Sequence, residues 1–235
     1  RLAAYERTIY KDFDKHTIIS KQDRDRLRLA THDQIMVIPN GVDADFVPFP
    51  DHRTPAHDLV FVGNLGYGPN TAAAQYLVRR LLPELESRGI KPSLLLAGAR
   101  PGRKTRALQH HEGVTVRGWV ADIRDAYADG RIFVAPMFTG LGLQNKILEA
   151  MAMGLPCVTT SMVNNAIGAE HNHEILVADT LEGLADHVQR LMNDPAEYHR
   201  IAASARAFVM SKYQWEDQVA KLESFISTKN VYAET

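Results

Sequence analysis

Two glycines, a lysine and a carboxylate fall close together in Thr139-Gly140-Leu141-Gly142-Leu143-Gln144-Asn145-Lys146-Ile147-Leu148-Glu149, just after an apolar run that ends at Ala135. A strand ending at Ala135, a glycine turn and a helix opening near Gln144 would make a strand-to-helix corner. In open α/β sheets, ligands bind beyond the carboxyl ends of the strands, so this corner lies where one is expected. Glycine lets the backbone approach an anion, and the free N–H groups and dipole of a helix start favour negative charge. The chemistry predicted is capture of a diphosphate. Helical spacing puts Asn145, Glu149 and Ala152 on one face, with Ile147, Leu148 and Met151 toward the other. A carboxylate beside the phosphates can accept hydrogen bonds from the vicinal hydroxyls of a ribose or sugar ring. Spacing alone leaves a second reading open, in which Glu149 pairs with Lys146 one turn back on a solvated face.

The elements that must hold this corner follow from the hydrophobic pattern. Short apolar runs at 17–20, 35–38, 59–63, 93–97, 114–117, 132–135, 157–160 and 175–177 read as strands. Helices are expected to begin near Pro69, Arg103, Ile123, Gln144 and Thr180, with Asn70 and Thr180 as start signals. The pattern turns purely helical from Pro195 to Met210, and a last helix is expected from Trp215 to about Lys229. Such alternation predicts an α/β fold, a Rossmann-like parallel sheet with helices on both faces, followed by C-terminal helices. Asp43 to Asp58, carrying Pro48, Pro50 and Pro55, reads as a linker or long surface loop.

Composition narrows the function classes. The 235 residues are 45% hydrophobic and carry a formal charge of -1, so no basic excess exists to condense on nucleic acid. The lone Cys157 cannot form an internal disulfide and reads as a buried thiol of a reducing compartment. No apolar stretch approaches the roughly 18 residues of a membrane span, so a cytoplasmic protein is expected. His171 and His173 lack a third ligand at a telling spacing, and with His110-His111 they read as solvated loop residues rather than metal ligands. Trp119 could stack on a base or simply pack.

The run GLQNKILEAMAMGLPCVTT resembles the donor-binding signature of the retaining GT-B glycosyltransferases of the group-one clan, nearest to bacterial exopolysaccharide-type sugar transferases. PNGVD at 39–43, FVGNLGYGPN at 61–70, LLLAGARP at 94–101 and VTVRGWVADIRDAY at 114–127 agree in order and spacing. The resemblance implies sugar transfer with retention from a nucleotide-sugar, such as a UDP- or GDP-sugar, in polysaccharide or glycoconjugate synthesis, with no cofactor and no metal. It implies a ribose contact for Glu149, diphosphate contacts at Gly140 and Gly142, and donor-sugar contacts from the backbone of Gln144 and Asn145. Gly98, Ala99, Trp119 and Val120 would line the nucleobase pocket, and Gly63 would open the loop crossing near the phosphates. Residues 1–37 would be a remnant of the N-terminal acceptor domain, 38–212 the donor domain, and 213–235 a crossover helix.

Where many relatives place an acidic residue, eight positions before the ribose glutamate, this chain has Leu141. Asn64 and Asn70 stand where relatives often carry Arg and Lys, and Lys146 is the nearest replacement. Lys146 and Glu149 are therefore the leading candidates for positioning the donor. The isolated chain is expected to bind nucleotide weakly and to turn over nothing. Its acceptor, a glycan or a lipid-linked group, and any peripheral membrane contact would depend mostly on residues outside it. A non-catalytic nucleotide-binding module and a GT-B sugar-nucleotide epimerase are the alternatives.

Overall fold

The computed structural model describes residues 5, 8–27, 35–47, 54–140 and 142–228. Two short strands come first, β1 (His16–Ile18) and β2 (Ile35–Val37), paired in parallel as a sheet of their own, with α1 (Lys21–Arg26) between them. The main sheet holds β3 (His57–Val62), β4 (Leu94–Ala97), β5 (Val114–Arg117), β6 (Gly130–Ala135), β7 (Cys157–Thr159) and β8 (Leu176–Val177). All its neighbours are parallel, in the order β5-β4-β3-β6-β7-β8. Leu59, Val60 and Phe61 in β3, and Ile132, Phe133 and Val134 in β6, are 0% exposed. Successive strand residues face opposite sides, so both faces of the sheet are covered.

Strand order places the ligand crevice. From β3 the chain steps outward to β4 and β5, then returns to β6 beside β3 and steps the other way. Direction reverses between β3 and β6, and the crevice at such a switch point is where doubly wound sheets bind. The turns after β3 and β6 flank it.

Helices cover the sheet: α2 (Gly68–Tyr76), continued through a π turn at Leu77–Leu81 into α3 (Leu82–Ser87), then α4 (Arg103–Arg106), α5 (Ile123–Ala128) and α6 (Asn145–Ala152). After these come α7 (Ser161–Ile167), α8 (Leu181–Asn193), α9 (Pro195–Lys212) and α10 (Trp215–Ser227). Thr180 caps α8 by accepting from Gly183 N–H, and Asp194 caps α9 by accepting from Glu197 N–H. Among the described residues no helix is long and apolar enough to cross a membrane.

Several expectations need adjustment. Helix α7 was not predicted, because its seven residues hold only a short apolar pattern closed by Gly168 in the left-handed region. Asn70 does not start α2; the N-cap is Tyr67, and the Asn70 amide turns inward. Strand β3 starts at His57, inside the expected linker, whose residues 48–53 lie outside the described set. The last helix is described to Ser227, and Lys229 also lies outside. Just before that linker the chain is tied down: Val42 N–H donates to the Tyr213 carbonyl at 2.7 Å and Gly41 packs against Trp215. Cys157 is buried in β7, as its sequence context indicated.

Candidate functional site

Beyond the carboxyl ends of β3 and β4, and against the starts of α5 and α6, lies a cavity of about 570 Å³. Gly63, Asn64, Gly98, Ala99, Trp119, Val120, Lys146 and Glu149 all line it. These are residues the sequence had nominated from four separate segments. Gly140, Gly142, Gln144 and Asn145 do not line it. They form the turn and first residues of α6, and Asn145 Oδ1 accepts from the side chain of Asn40 at 3.2 Å. Leu141 lies outside the described residues.

Glycine is needed at the cavity floor. Gly98 has φ +133°, and a Cβ there would stand 1.9 Å from the Gly63 carbonyl oxygen. A Cβ on Gly63 would meet the Asn70 amide at 2.8 Å and Cε of Lys146 at 3.3 Å. The turns after β3 and β4 thus touch backbone to backbone, with room for a ligand only because neither residue has a side chain. In the other turn, Gly140 and Gly142 take φ +121° and +82°, which side chains resist. Thr159 and Thr160 tie that turn's base by donating hydroxyl protons to the carbonyls of Ala135 and Met137, at 2.8 and 2.5 Å.

The charges are held by specific partners. Glu149 does not pair with Lys146 on a solvated face: both side chains are mostly buried. Ala152, on the same helical face by spacing, is fully buried, so the polar part of that face ends at Glu149. Lys146 Nζ donates to Asn70 Oδ1 at 2.9 Å and Gln144 Oε1 at 2.7 Å. Glu149 Oε2 accepts from the Tyr127 hydroxyl at 2.6 Å. Burial pushes the Lys146 ammonium down to about 8, against the opposing charge of Glu149. Burial also raises the Glu149 carboxyl above the usual carboxylate range, opposed by the Tyr127 hydrogen bond and Lys146 and assisted by Asp43. Burial thus works against the charged form of both groups, and their partners work for it. Groups perturbed by burial and a specific charge partner in a cleft are a mark of functional sites.

The side chain the sequence reading missed is Tyr127, fully buried among the residues that line the cavity, with its hydroxyl bonded to Glu149. It stood inside the quoted run 114–127, and the signal was its polar tip among apolar neighbours. Asp122 also lines the cavity, but its carboxylate caps α5 and is held by Arg124 at 2.6–3.0 Å. Trp119 is 75% exposed at the rim, so packing is not its role. His171 Nδ1 accepts from Val177 N–H at 3.0 Å and its ring meets His187, which ties the loop to β8.

A family model for Glycosyl transferases group 1 matches residues 56–194, more than half of the chain and the whole of the cavity lining. The chain belongs to the group 1 glycosyl transferases. Its open parallel sheet flanked by helices is the Rossmann-like half-fold of the GT-B architecture. This group 1 chain is 23% identical over 222 residues to an uncharacterized 44.6 kDa protein in the cps region of Klebsiella pneumoniae, covering 88% of the chain and 55% of that protein. It is 29% identical over 194 residues to a glycogen synthase of Mycobacterium tuberculosis, covering 78% of the chain and 46% of that enzyme. The chain thus spans about half the length of the curated relatives it matches. Among solved structures, sucrose-phosphate synthase from Thermosynechococcus elongatus superposes with a TM-score of 0.78 at 20% identity, over 95% of the chain and 60% of that protein. Anabaena HepE in complex with UDP and glucose gives 0.78 at 14% identity, over 97% and 67%.

Proposed function

We propose that this group 1 chain is the donor-binding part of a glycosyltransferase that moves a sugar from a nucleotide-sugar to a glycan or lipid-linked acceptor with retention of configuration. Residues 38–212 form the donor domain in this reading, 1–37 belong to the acceptor domain, and 213–235 form the crossover helix. The pairing of β1 and β2 apart from the main sheet supports that division.

One observation carries the reading. Glu149 holds a carboxylate at the cavity, one helical turn from Lys146, beyond the carboxyl end of β3, the strand beside which the sheet reverses direction. A nucleoside would lie between Trp119 and the glycine floor, with its ribose hydroxyls on Glu149. The diphosphate would run toward Lys146 and the start of α6, and the sugar toward the backbone of Gln144 and Asn145. The N-cap residue Gln144 makes no side-chain capping bond to the first turn of α6, an arrangement that suits a ligand's negative charge at that helix end. Transfer needs the anomeric carbon held within near-attack distance of the acceptor oxygen while charge grows on the departing diphosphate. Lys146 and the helix start meet that charge. The structure of HepE with UDP and glucose, on the same fold, supports a donor of this class.

Calorimetric titration of UDP, GDP, ADP and their common sugar conjugates tests the reading. Preference for one sugar nucleotide is expected, and equal indifference to all would overturn it. The chain alone is expected to bind but not to transfer, and sugar transfer by the purified chain would contradict that part.

A further inference from the structure

Tyr127 packs its ring between Phe133 and Phe46, with centroids 5.8 and 6.2 Å away, and its hydroxyl meets the start of α6, where Lys146 and Glu149 line the cavity with it. Two acceptors stand near that hydroxyl: Glu149 Oε2 at 2.6 Å and the Lys146 carbonyl at 3.1 Å. A phenol has one proton to donate, and a charged acceptor at the shorter distance takes it. Among the described residues, Glu149 Oε1 accepts no protein hydrogen bond. The carboxylate is thus anchored by one oxygen and open at the other.

We propose that Tyr127 is a positioning residue for donor recognition: it pins Oε2 of Glu149 so that Oε1 faces the ligand's hydroxyls. The same hydrogen bond favours the ionised, purely accepting carboxylate against the burial that favours the acid. The inference rests on the donor-site reading and adds a residue to it. The second half of the claim follows from the neighbours. Asp43, from the segment after β2, and burial both favour the protonated acid, while Lys146 from the same helix and Tyr127 from α5 favour the carboxylate. Asp122 shares the cavity with its charge held by Arg124. A protonated Glu149 would present a hydroxyl donor on one oxygen and lose accepting capacity toward a ribose. The phenol's ring is locked by aromatic contacts on two sides, so the anchor does not depend on the ligand to form.

The test is the pH profile of affinity for UDP-glucose and, in parallel, GDP-mannose, whose esterified diphosphates do not titrate between pH 5 and 8. Wild type should lose affinity as the pH falls through the Glu149 titration. Tyr127→Phe keeps the ring and removes the donor, so its loss should begin about one pH unit higher, with affinity about tenfold lower in the interval between the two limbs. The gap should narrow toward pH 8. An acid limb at the wild-type position, even with uniformly weaker binding, would overturn the inference, because a merely structural role moves affinity without moving the limb. Site-specific 3-fluorotyrosine at position 127 keeps shape and fold and strengthens the donor. Its limb should move to lower pH, and an unmoved limb would overturn the inference even if the phenylalanine variant does not fold. Glu149→Gln separates this idea from its foundation. If that variant binds both nucleotide-sugars as wild type does, the donor reading itself falls. If it binds weakly while both position-127 variants keep the wild-type limb, only the role of Tyr127 falls.

Discussion

Gly98 and Gly63 meet backbone to backbone at the cavity floor, so closely that a Cβ on Gly98 would lie 1.9 Å from the Gly63 carbonyl oxygen. This contact joins the turn after β3 to the turn after β4 where both line the cavity. It turns two scattered glycines of the sequence into one structural requirement.

Gly98→Ala should therefore be strongly destabilising. The new methyl meets backbone rather than a flexible side chain, at a φ of +133° that alanine rarely adopts. A loss of about 3 kcal/mol or more is expected in urea unfolding. Gly68→Ala is the control: nothing lies within 4 Å of a Cβ there, and the residue is helical. That change should be neutral or stabilise by up to about 1 kcal/mol. Similar losses at both positions would contradict the packing described.

Lys146 gives the site an alkaline limit. Its ammonium is pushed down to about 8, so the ligand-free protein loses this charge as the pH rises from 7 to 9. Affinity for a nucleotide diphosphate should fall about tenfold over that range, and Lys146→Met should bind weakly with no such fall. Stability moves the other way. Between about 8 and the ordinary lysine value of 10.5, the unfolded chain still holds the proton that the folded one has released, so stability relative to Lys146→Met rises with pH. Parallel pH–stability curves for the two proteins would refute a buried, depressed lysine.

Trp119 offers the simplest optical readout. At 75% exposure it contributes little to the core, so Trp119→Ala should change stability by about 0.5 kcal/mol or less. If a base stacks on it, nucleotide affinity should drop by about 1 to 3 kcal/mol, and fluorescence should quench on binding. Trp215→Phe should keep the quench, because the only other tryptophan lies against Gly41, away from the cavity. A quench that vanishes in Trp215→Phe and persists in Trp119→Ala would place the ligand elsewhere.

Much of this arrangement was legible in the residues because local pattern and tertiary role agree. The strand runs at Leu59, Leu94, Ile132 and Cys157 are buried on both faces, so they read as unbroken apolar stretches. Thr180 announced α8 because its hydroxyl caps a free N–H, a local event. The failures came where a partner distant in sequence decides. Asn70 looked like a helix start, but its amide bonds Asn64 and Lys146, the latter 76 residues away. Glu149 and Lys146 looked equally ready to pair with each other, yet Tyr127 and Asn70 claim them separately. Nothing in spacing could show that a tyrosine 22 residues upstream would reach Oε2. Helix α7 was hidden by brevity, its seven residues being too few to show a period.

The most direct measurement is a coupling experiment between Glu149 and the hydroxyls it is held to grip. Wild type and Glu149→Ala would each be titrated with a nucleotide-sugar and with its 2′,3′-dideoxy analogue. Wild type should favour the hydroxylated ligand, Glu149→Ala should lose about 1 to 3 kcal/mol on that ligand, and the variant should no longer tell the two apart. Equal discrimination by both proteins, or unchanged affinity in the alanine variant, would contradict that grip.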